Sequence, residues 1–117
     1  MNQNLNNMNT TSLEVAKIIQ AQLLGISKAK VWSWGSHKWT VIENGLSFKC
    51  SGFLFTGVVS ITLNPFDTYR IQFIKAKKVI DEYHDVYFDE MVDIIDNYVE
   101  YTGDNYENDV KNAVYTF

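Results

Sequence analysis

The stretch "WTVIENGLSFKC", residues 39–50, decides the fold. It places Asn44-Gly45 between two segments in which apolar and polar residues alternate. This dipeptide is typical of a type I′ turn, because Asn and Gly tolerate the positive φ angles that both central residues of that turn require. The stretch therefore predicts an antiparallel β-hairpin.

Further strand patterns follow the hairpin. They are "FLFTGVVSITL" (residues 53–63), "TYRIQFI" (residues 68–74) and the shorter "AKKVID" (residues 76–81). Each combines β-branched and aromatic residues with alternation or an apolar run, and turn-forming residues separate them. The segment "DEYHD", residues 81–85, is predicted to be an acidic turn.

Helical patterns flank these strands. Residues 12–24 have a broad apolar face, Thr11 and Glu14 match a capping box before it, and Gly25 suits its end. Residues 86–101 have a strongly amphipathic pattern. We therefore predict an α+β fold: an N-terminal helix, an antiparallel sheet of four or five strands in hairpins, and a C-terminal amphipathic helix, with the helices on one face of the sheet.

Length and composition indicate one domain. With 117 residues, 46% of them hydrophobic, the chain can bury a single core. We predict a disordered Asn-rich head (1–10), a single α+β domain (11–103) and a loose or marginally helical tail (104–117). The sequence is compatible with a start of translation at Met1 or at Met8.

The sequence does not predict a membrane-spanning or a secreted protein. No apolar run approaches the roughly 18 residues of a membrane-spanning helix, and the N-terminus lacks the pattern of a signal peptide. Cys50 is the only cysteine, so an internal disulfide is excluded. We therefore expect a cytoplasmic protein without membrane contact.

The charges are segregated along the chain. Residues 1–79 contain nine Lys or Arg and three Asp or Glu, a balance of +6. Residues 80–117 contain eleven Asp or Glu and one Lys, a balance of −10. Such asymmetry concerns the partners of a protein rather than its fold.

The second helix carries the strongest functional signal. Asp89, Asp93, Asp96 and Glu100 follow each other at spacings of four, three and four residues, which predicts one acidic face opposite the apolar one. The plainer interpretation is the polar face of any amphipathic helix, but such faces usually mix both signs of charge. We expect these four residues, together with an exposed Trp32, to bind a partner protein whose basic surface normally holds nucleic acid.

The alternative is direct binding of RNA or DNA by the basic N-terminal part. Its lysines, with Trp32 and Trp34 as stacking rings, would form the binding groove. The plainer interpretation places Trp34 and Trp39 in the core and the lysines on solvated faces. The net charge of −4 also lacks the basic excess typical of nucleic-acid-binding domains.

Catalysis is not expected. Cys50 shares a strand face with Leu46 and Phe48, which is typical of a core cysteine. His84, among the carboxylates near "DEYHD", is the centre of a conceivable metal-dependent hydrolase, but the spacing matches no metal-binding loop. Motifs for nucleophilic catalysis, zinc or nucleotide phosphates are absent from the sequence. We therefore expect no enzyme activity, no catalytic or metal-binding residues and no cofactor.

Residues 34–103 resemble a family of small, mostly uncharacterised proteins from phages and mobile elements of Bacteroidetes-type hosts. The resemblance lies in "SWGSHKW", "ENGLSFKCSG", "VSITLNPFDTYRIQFIK" and "DVYFDEMVDIIDNYVEYTG". Family members generally end soon after the last motif, whereas this chain continues to Phe117. The resemblance implies a small early phage protein that binds and redirects host machinery, as anti-CRISPR proteins do, with a CRISPR nuclease as one conceivable partner. It brings no catalytic residues.

Overall fold

The computed structural model describes the backbone of residues 2–100 and the side chains of residues 11–100. Two helices and five strands follow each other in the order α1, β1 to β5, α2. Their bounds are α1 Asn2–Ser33, β1 His37–Ile42, β2 Gly45–Ser51, β3 Thr56–Leu63, β4 Tyr69–Lys75, β5 Lys78–Val86 and α2 Met91–Val99. The predicted α+β fold is confirmed.

The sheet is an antiparallel meander. Its spatial order is β1-β2-β3-β4-β5, so every strand pairs with its neighbours in sequence. Both edge strands contain register shifts, between His37 and Thr40 in β1 and opposite Tyr69–Ile71 and Phe73–Ile74 in β5. Such irregular edges disfavour pairing with the strand of another molecule.

One face of the sheet packs against both helices. The strand residues pointing to this face are buried and alternate with polar or exposed residues. From the helices, α1 contributes Val15, Ala16, Ile19, Leu23 and Val31, and α2 contributes Met91, Val92, Ile95 and Val99. The opposite face of the sheet is not covered by any element within residues 11–100.

Two aromatic groups fill this core. Under α1, Phe48 stacks between Trp39, at a centroid distance of 4.5 Å, and Trp34, at 6.2 Å. Under α2, Phe73 stacks on Tyr98 at 3.7 Å and meets Phe55 edge-on at 5.6 Å. The prediction that Trp34 and Trp39 belong to the core is confirmed, since Trp34 is fully buried and Trp39 packs against the core.

The first helix differs from its prediction. It begins at Asn2 and ends at Ser33, so Thr11 and Glu14 lie inside it and form no N-terminal cap. The helix is interrupted not at Gly25 but at Ser27, whose φ of −158° and ψ of 97° are extended. The Ser27 hydroxyl accepts a hydrogen bond from the Lys30 N–H at 3.2 Å and so caps the segment that follows.

The two ends of the chain leave two predictions open. Because side chains are described only from Thr11, nothing tests whether residues 1–10 form a separate disordered head. The predicted tail, residues 104–117, lies outside the described residues.

The hairpin is confirmed, but its turn lies one residue earlier than predicted. Ile42 pairs with Gly45, so the central residues are Glu43 and Asn44, and only Asn44 has a positive φ, 53°. Gly45 already belongs to β2, where a Cβ atom would collide with the carbonyl oxygen of Ile61 on β3. This glycine is required by close approach of two strands rather than by turn geometry.

The C-terminal half also differs from its prediction. Residues 81–85 are not a turn but part of β5, because Tyr83 packs edge-on against Phe73 and Glu82 accepts a hydrogen bond from Gln72 on β4. Consequently α2 begins at Met91 rather than at residue 86. A turn over residues 87–90, closed by the Glu90 N–H donating to the Tyr87 carbonyl, connects the two elements.

Replacing Gly45 with Ala tests the close approach of β2 and β3. We expect Gly45→Ala to lower the free energy of unfolding by about 3 kcal/mol, at the upper end of overpacking effects. Gly25→Ala is the matched control: among the described residues, no atom beyond its own stretch of helix lies within 4 Å of its Cβ position, and Ala in a helix is about 0.5–1 kcal/mol more favourable than Gly. Urea unfolding of both variants measures this, and equal stability of the two would contradict the packing described.

Candidate interaction surface

The four acidic residues predicted to form one exposed face do not share a surface. Asp89 is exposed and precedes α2, and Asp93 is exposed on α2. Asp96 and Glu100, by contrast, retain only 3% and 6% of their accessible surface. The prediction of a continuous acidic face on this helix is therefore wrong.

Asp96 is buried because α2 is covered on two sides, by the sheet and by the end of α1. Its carboxylate accepts a hydrogen bond of 3.0 Å from the indole N–H of Trp34. The Lys30 ammonium lies 3.9 Å from the same carboxylate and 3.6 Å from Asp93. Asp96 thus joins the two helices and is not free to contact a partner.

A signal for this burial exists in the sequence. At 100° per residue, Asp96 lies between Val92 and Val99 on the helix surface, four residues after one and three before the other. An acidic residue inside an apolar stripe predicts a buried partner, here the Trp34 indole. The indole needs an acceptor of its own when it is buried.

Glu100 is enclosed by the loop that connects β2 and β3. A Cβ atom on Gly52 would lie 2.7 Å from the Glu100 Oε1, and the Leu54 N–H donates to the Val99 carbonyl at 2.7 Å. Burial raises the pKa of Glu100, the hydrogen bond donated by the Phe53 N–H opposes this, and the Asp96 charge adds to it. Nothing local in the sequence indicates this contact, because the loop lies almost fifty residues away.

Trp32 is exposed, as predicted, with 66% of its surface accessible. The Lys28 ammonium lies 5.0 Å from the centre of its ring, within the range of a cation–π contact. Trp32 is on the last turn of α1, and the Lys30–Asp93 contact brings this turn beside the start of α2.

The exposed carboxylates are gathered elsewhere, on a surface that we call the acidic edge. It comprises residues 79–93, that is, β5, the turn that follows it and the first residues of α2. This segment contains no Lys or Arg. Its six carboxylates are all exposed: Asp81, Glu82, Asp85, Asp89, Glu90 and Asp93.

Aromatic side chains lie among these carboxylates. Tyr87 and Phe88, in the turn before α2, expose 60% and 53% of their surface. Tyr83, on β5, is partly exposed while its ring contacts Phe73 and Tyr98 edge-on. The acidic edge therefore combines negative charge with aromatic rings.

Glu82 is the centre of a polar network on the uncovered face of the sheet. It accepts hydrogen bonds from Gln72 at 2.7 Å and from His84 at 2.9 Å, and the Arg70 guanidinium lies 3.9 Å away. The hydrogen bonds from Gln72 and His84 hold the pKa of Glu82 below its ordinary value. The side chain of His84 thus forms a hydrogen bond with one carboxylate, that of Glu82.

His84 and Cys50, the two residues considered for chemistry, have different surroundings: His84 is exposed and Cys50 is buried. In the part of the chain with described side chains, no group of three or more His, Cys, Asp or Glu is arranged to hold a metal ion. Cys50 is buried, as predicted, and burial raises the pKa of its thiol to about 11. At neutral pH this thiol is protonated and a poor nucleophile.

The buried position of Glu100 predicts a pH-dependent stability. Because its pKa is raised in the folded protein, ionised Glu100 costs stability above that pKa, and the cost vanishes as the pH falls below 4.5, the ordinary value. We expect Glu100→Gln to be more stable than the unmodified protein at pH 7 and this advantage to disappear towards pH 4.

Urea unfolding at several pH values measures this difference. Asp89→Asn, at an exposed position in the turn before the same helix, is the control and is expected to show no such trend. An advantage of Glu100→Gln that is constant with pH, or a loss of stability at pH 7, would contradict the burial of an ionised Glu100.

No protein-family model, curated protein or solved structure matches this chain. The resemblance to small phage proteins therefore stays a prediction. Across the described residues, no helix is both long enough and apolar enough to span a membrane.

Proposed function

We propose that this protein is a non-enzymatic binding protein that uses the acidic edge to occupy a basic, nucleic-acid-binding surface of a partner protein. Binding there would inhibit or modulate a nucleic-acid-dependent machine of a bacterial host, of which a CRISPR nuclease is one example. The observation that carries the proposal is the run of six exposed carboxylates without a single Lys or Arg between residues 79 and 93.

The negative charge of this surface is only partly neutralised. Among the described side chains, Lys and Arg approach two of the six carboxylates: Arg70 lies near Glu82 and Lys30 near Asp93. Charges of one sign on one surface attract a surface of the opposite sign and accelerate association. Proteins that bind nucleic acid present such basic surfaces, since they must contact phosphates.

The aromatic residues of the acidic edge provide contacts that charge alone does not. Tyr and Phe are enriched in the cores of protein interfaces, where they bury much area for few rotatable bonds. Tyr83 is held by Phe73 and Tyr98, and the Tyr87 N–H donates to the Glu90 carboxylate at 2.9 Å. These contacts restrict Tyr83 and the backbone at Tyr87 before a partner arrives, which favours binding.

Binding is favoured over catalysis by the positions of Cys50 and His84. The Cys50 thiol is buried on the helix-covered side of the sheet, while His84 is exposed on β5 and contacts Glu82. A nucleophile and its base would have to lie within hydrogen-bonding distance of each other. Asp96 and Glu100 are buried and take no part in the proposed binding. Trp32 remains a candidate contact, because it lies on the same turn of α1 as Lys30, which contacts Asp93.

Neutralising four carboxylates of the acidic edge tests the proposal. The variant combines Asp81→Asn, Asp85→Asn, Asp89→Asn and Glu90→Gln, which keep the size and one acceptor oxygen of each side chain. The control combines Glu14→Gln, Glu43→Gln and Asp67→Asn, at exposed positions outside the acidic edge. Each protein is immobilised on a solid support and incubated with an extract of a bacterial host. The proteins that it retains are then released with an excess of single-stranded RNA or DNA and identified.

We expect the unmodified protein and the control to retain a nucleic-acid-binding protein that added nucleic acid releases. The neutralised variant should bind that protein at least roughly tenfold more weakly, because the electrostatic attraction is lost. The proposal fails if no protein is retained, if nucleic acid does not release the retained protein, or if the neutralised variant binds it equally well.

A further inference from the structure

We infer that the uncovered face of the sheet carries a second binding site, which takes the phosphate and the base of a nucleotide. The site is a cavity of about 530 Å³ at the end of the sheet where β1 begins and β2 ends. It is separate from the acidic edge, and the inference does not depend on the proposed function.

The floor of this cavity is apolar. It is formed by Val58 and Ile74, which pair in register with each other and with Lys49 across β2, β3 and β4, so the three side chains form one row. Lys49 alternates with the buried Phe48 and Cys50, which places the row on the uncovered face. Val58 and Ile74 are half-buried, and no helix within residues 11–100 lies above them, so they offer an apolar surface to a ligand.

The rim of the cavity is basic. Lys49 lies on one side and Lys77 on the other, two strands apart, which is about 10 Å at 4.8 Å per strand. Lys77 belongs to a tight turn in which Ala76 and Lys77 both have positive φ, 51° and 66°. His37, Ser51 and Thr56 add polar groups, and no Asp or Glu within residues 11–100 lines the cavity.

These features select an anion with an apolar part. The cavity has the size of typical small-molecule sites, and its charge and hydroxyl groups suit a phosphate, while Val58 and Ile74 suit the flat face of a base. Among the residues with described side chains, no Phe, Tyr or Trp lines the cavity, and the imidazole of His37 is the one aromatic ring there. Trp32 and Trp34, the stacking rings of the alternative nucleic-acid hypothesis, lie on the helix side of the sheet. We therefore expect weak binding without base specificity.

The lysines around this site account for much of the basic charge of the N-terminal part. Lys38, Lys75 and Lys78 are exposed near the same end of the sheet, and Lys75 pairs with Lys78 in register. The charge segregation of the sequence thus becomes a separation in space, with a basic end of the sheet and an acidic edge. The nucleotide can come from solution or from a single-stranded nucleic acid, since both present the same phosphate and base.

Nitrogen-15 NMR of the full chain tests the inference with defined probes: uridine monophosphate, a ten-residue oligouridine, uridine, inorganic phosphate and a glutamate-rich peptide. We expect the nucleotide and the oligonucleotide to shift the backbone amides of Lys49, Gly57, Ile74 and Lys77, and added salt to weaken both. Lys49→Gln with Lys77→Gln should weaken binding at least about fivefold, because two charge-assisted contacts are lost. Lys17→Gln with Lys28→Gln, two exposed positions on α1, is the control.

The relative affinities identify the source of the ligand. Tighter binding of the oligonucleotide points to a nucleic acid, and equal binding points to a free nucleotide. The inference is overturned if neither shifts these amides, if the Lys49 and Lys77 variant binds as the control does, or if uridine, phosphate or the peptide binds as tightly as the nucleotide.

Discussion

The buried hydrogen bond from the Trp34 indole to the Asp96 carboxylate determines how the two helices meet. The indole N–H and the carboxylate are both removed from water, so each needs the other as a partner. Lys30, one turn before Trp34, places a positive charge near the carboxylate and reduces the cost of burying it. The kink at Ser27 starts the short segment that carries both Lys30 and Trp34 towards α2.

The arrangement of charges on the surface follows from this contact. With Asp96 directed at α1, the adjoining face of α2 is closed, and Glu100 is enclosed by the loop around Gly52. The remaining carboxylates of β5, of the following turn and of the start of α2 face solvent. On the uncovered face of the sheet, lysines at the strand ends create the opposite charge. A chain with a modest net charge of −4 thereby presents two surfaces of opposite sign.

Most of the fold could be predicted from local patterns, because strands and hairpins depend on alternation and on turn residues close together in sequence. The hairpin around Asn44, the sequence of elements, the core positions of Trp34 and Cys50 and the exposure of Trp32 belong to this class. Predictions that needed contacts between distant segments were wrong. Residues 81–85 have the local pattern of a turn, but pairing with β4 and the contact with Tyr98 make them part of a strand. Asp96 has the local pattern of a solvated residue, but Trp34, more than sixty residues earlier, covers it.

The most direct test of this account is a double-mutant cycle with Trp34→Phe, Asp96→Ala and the combined variant, measured by urea unfolding at neutral pH. The account predicts a coupling energy of about 1.5–3 kcal/mol, as for a buried hydrogen bond to a charged group. Additive effects within about 0.5 kcal/mol would show that the two side chains do not interact, and would contradict the placement of Asp96 between the helices.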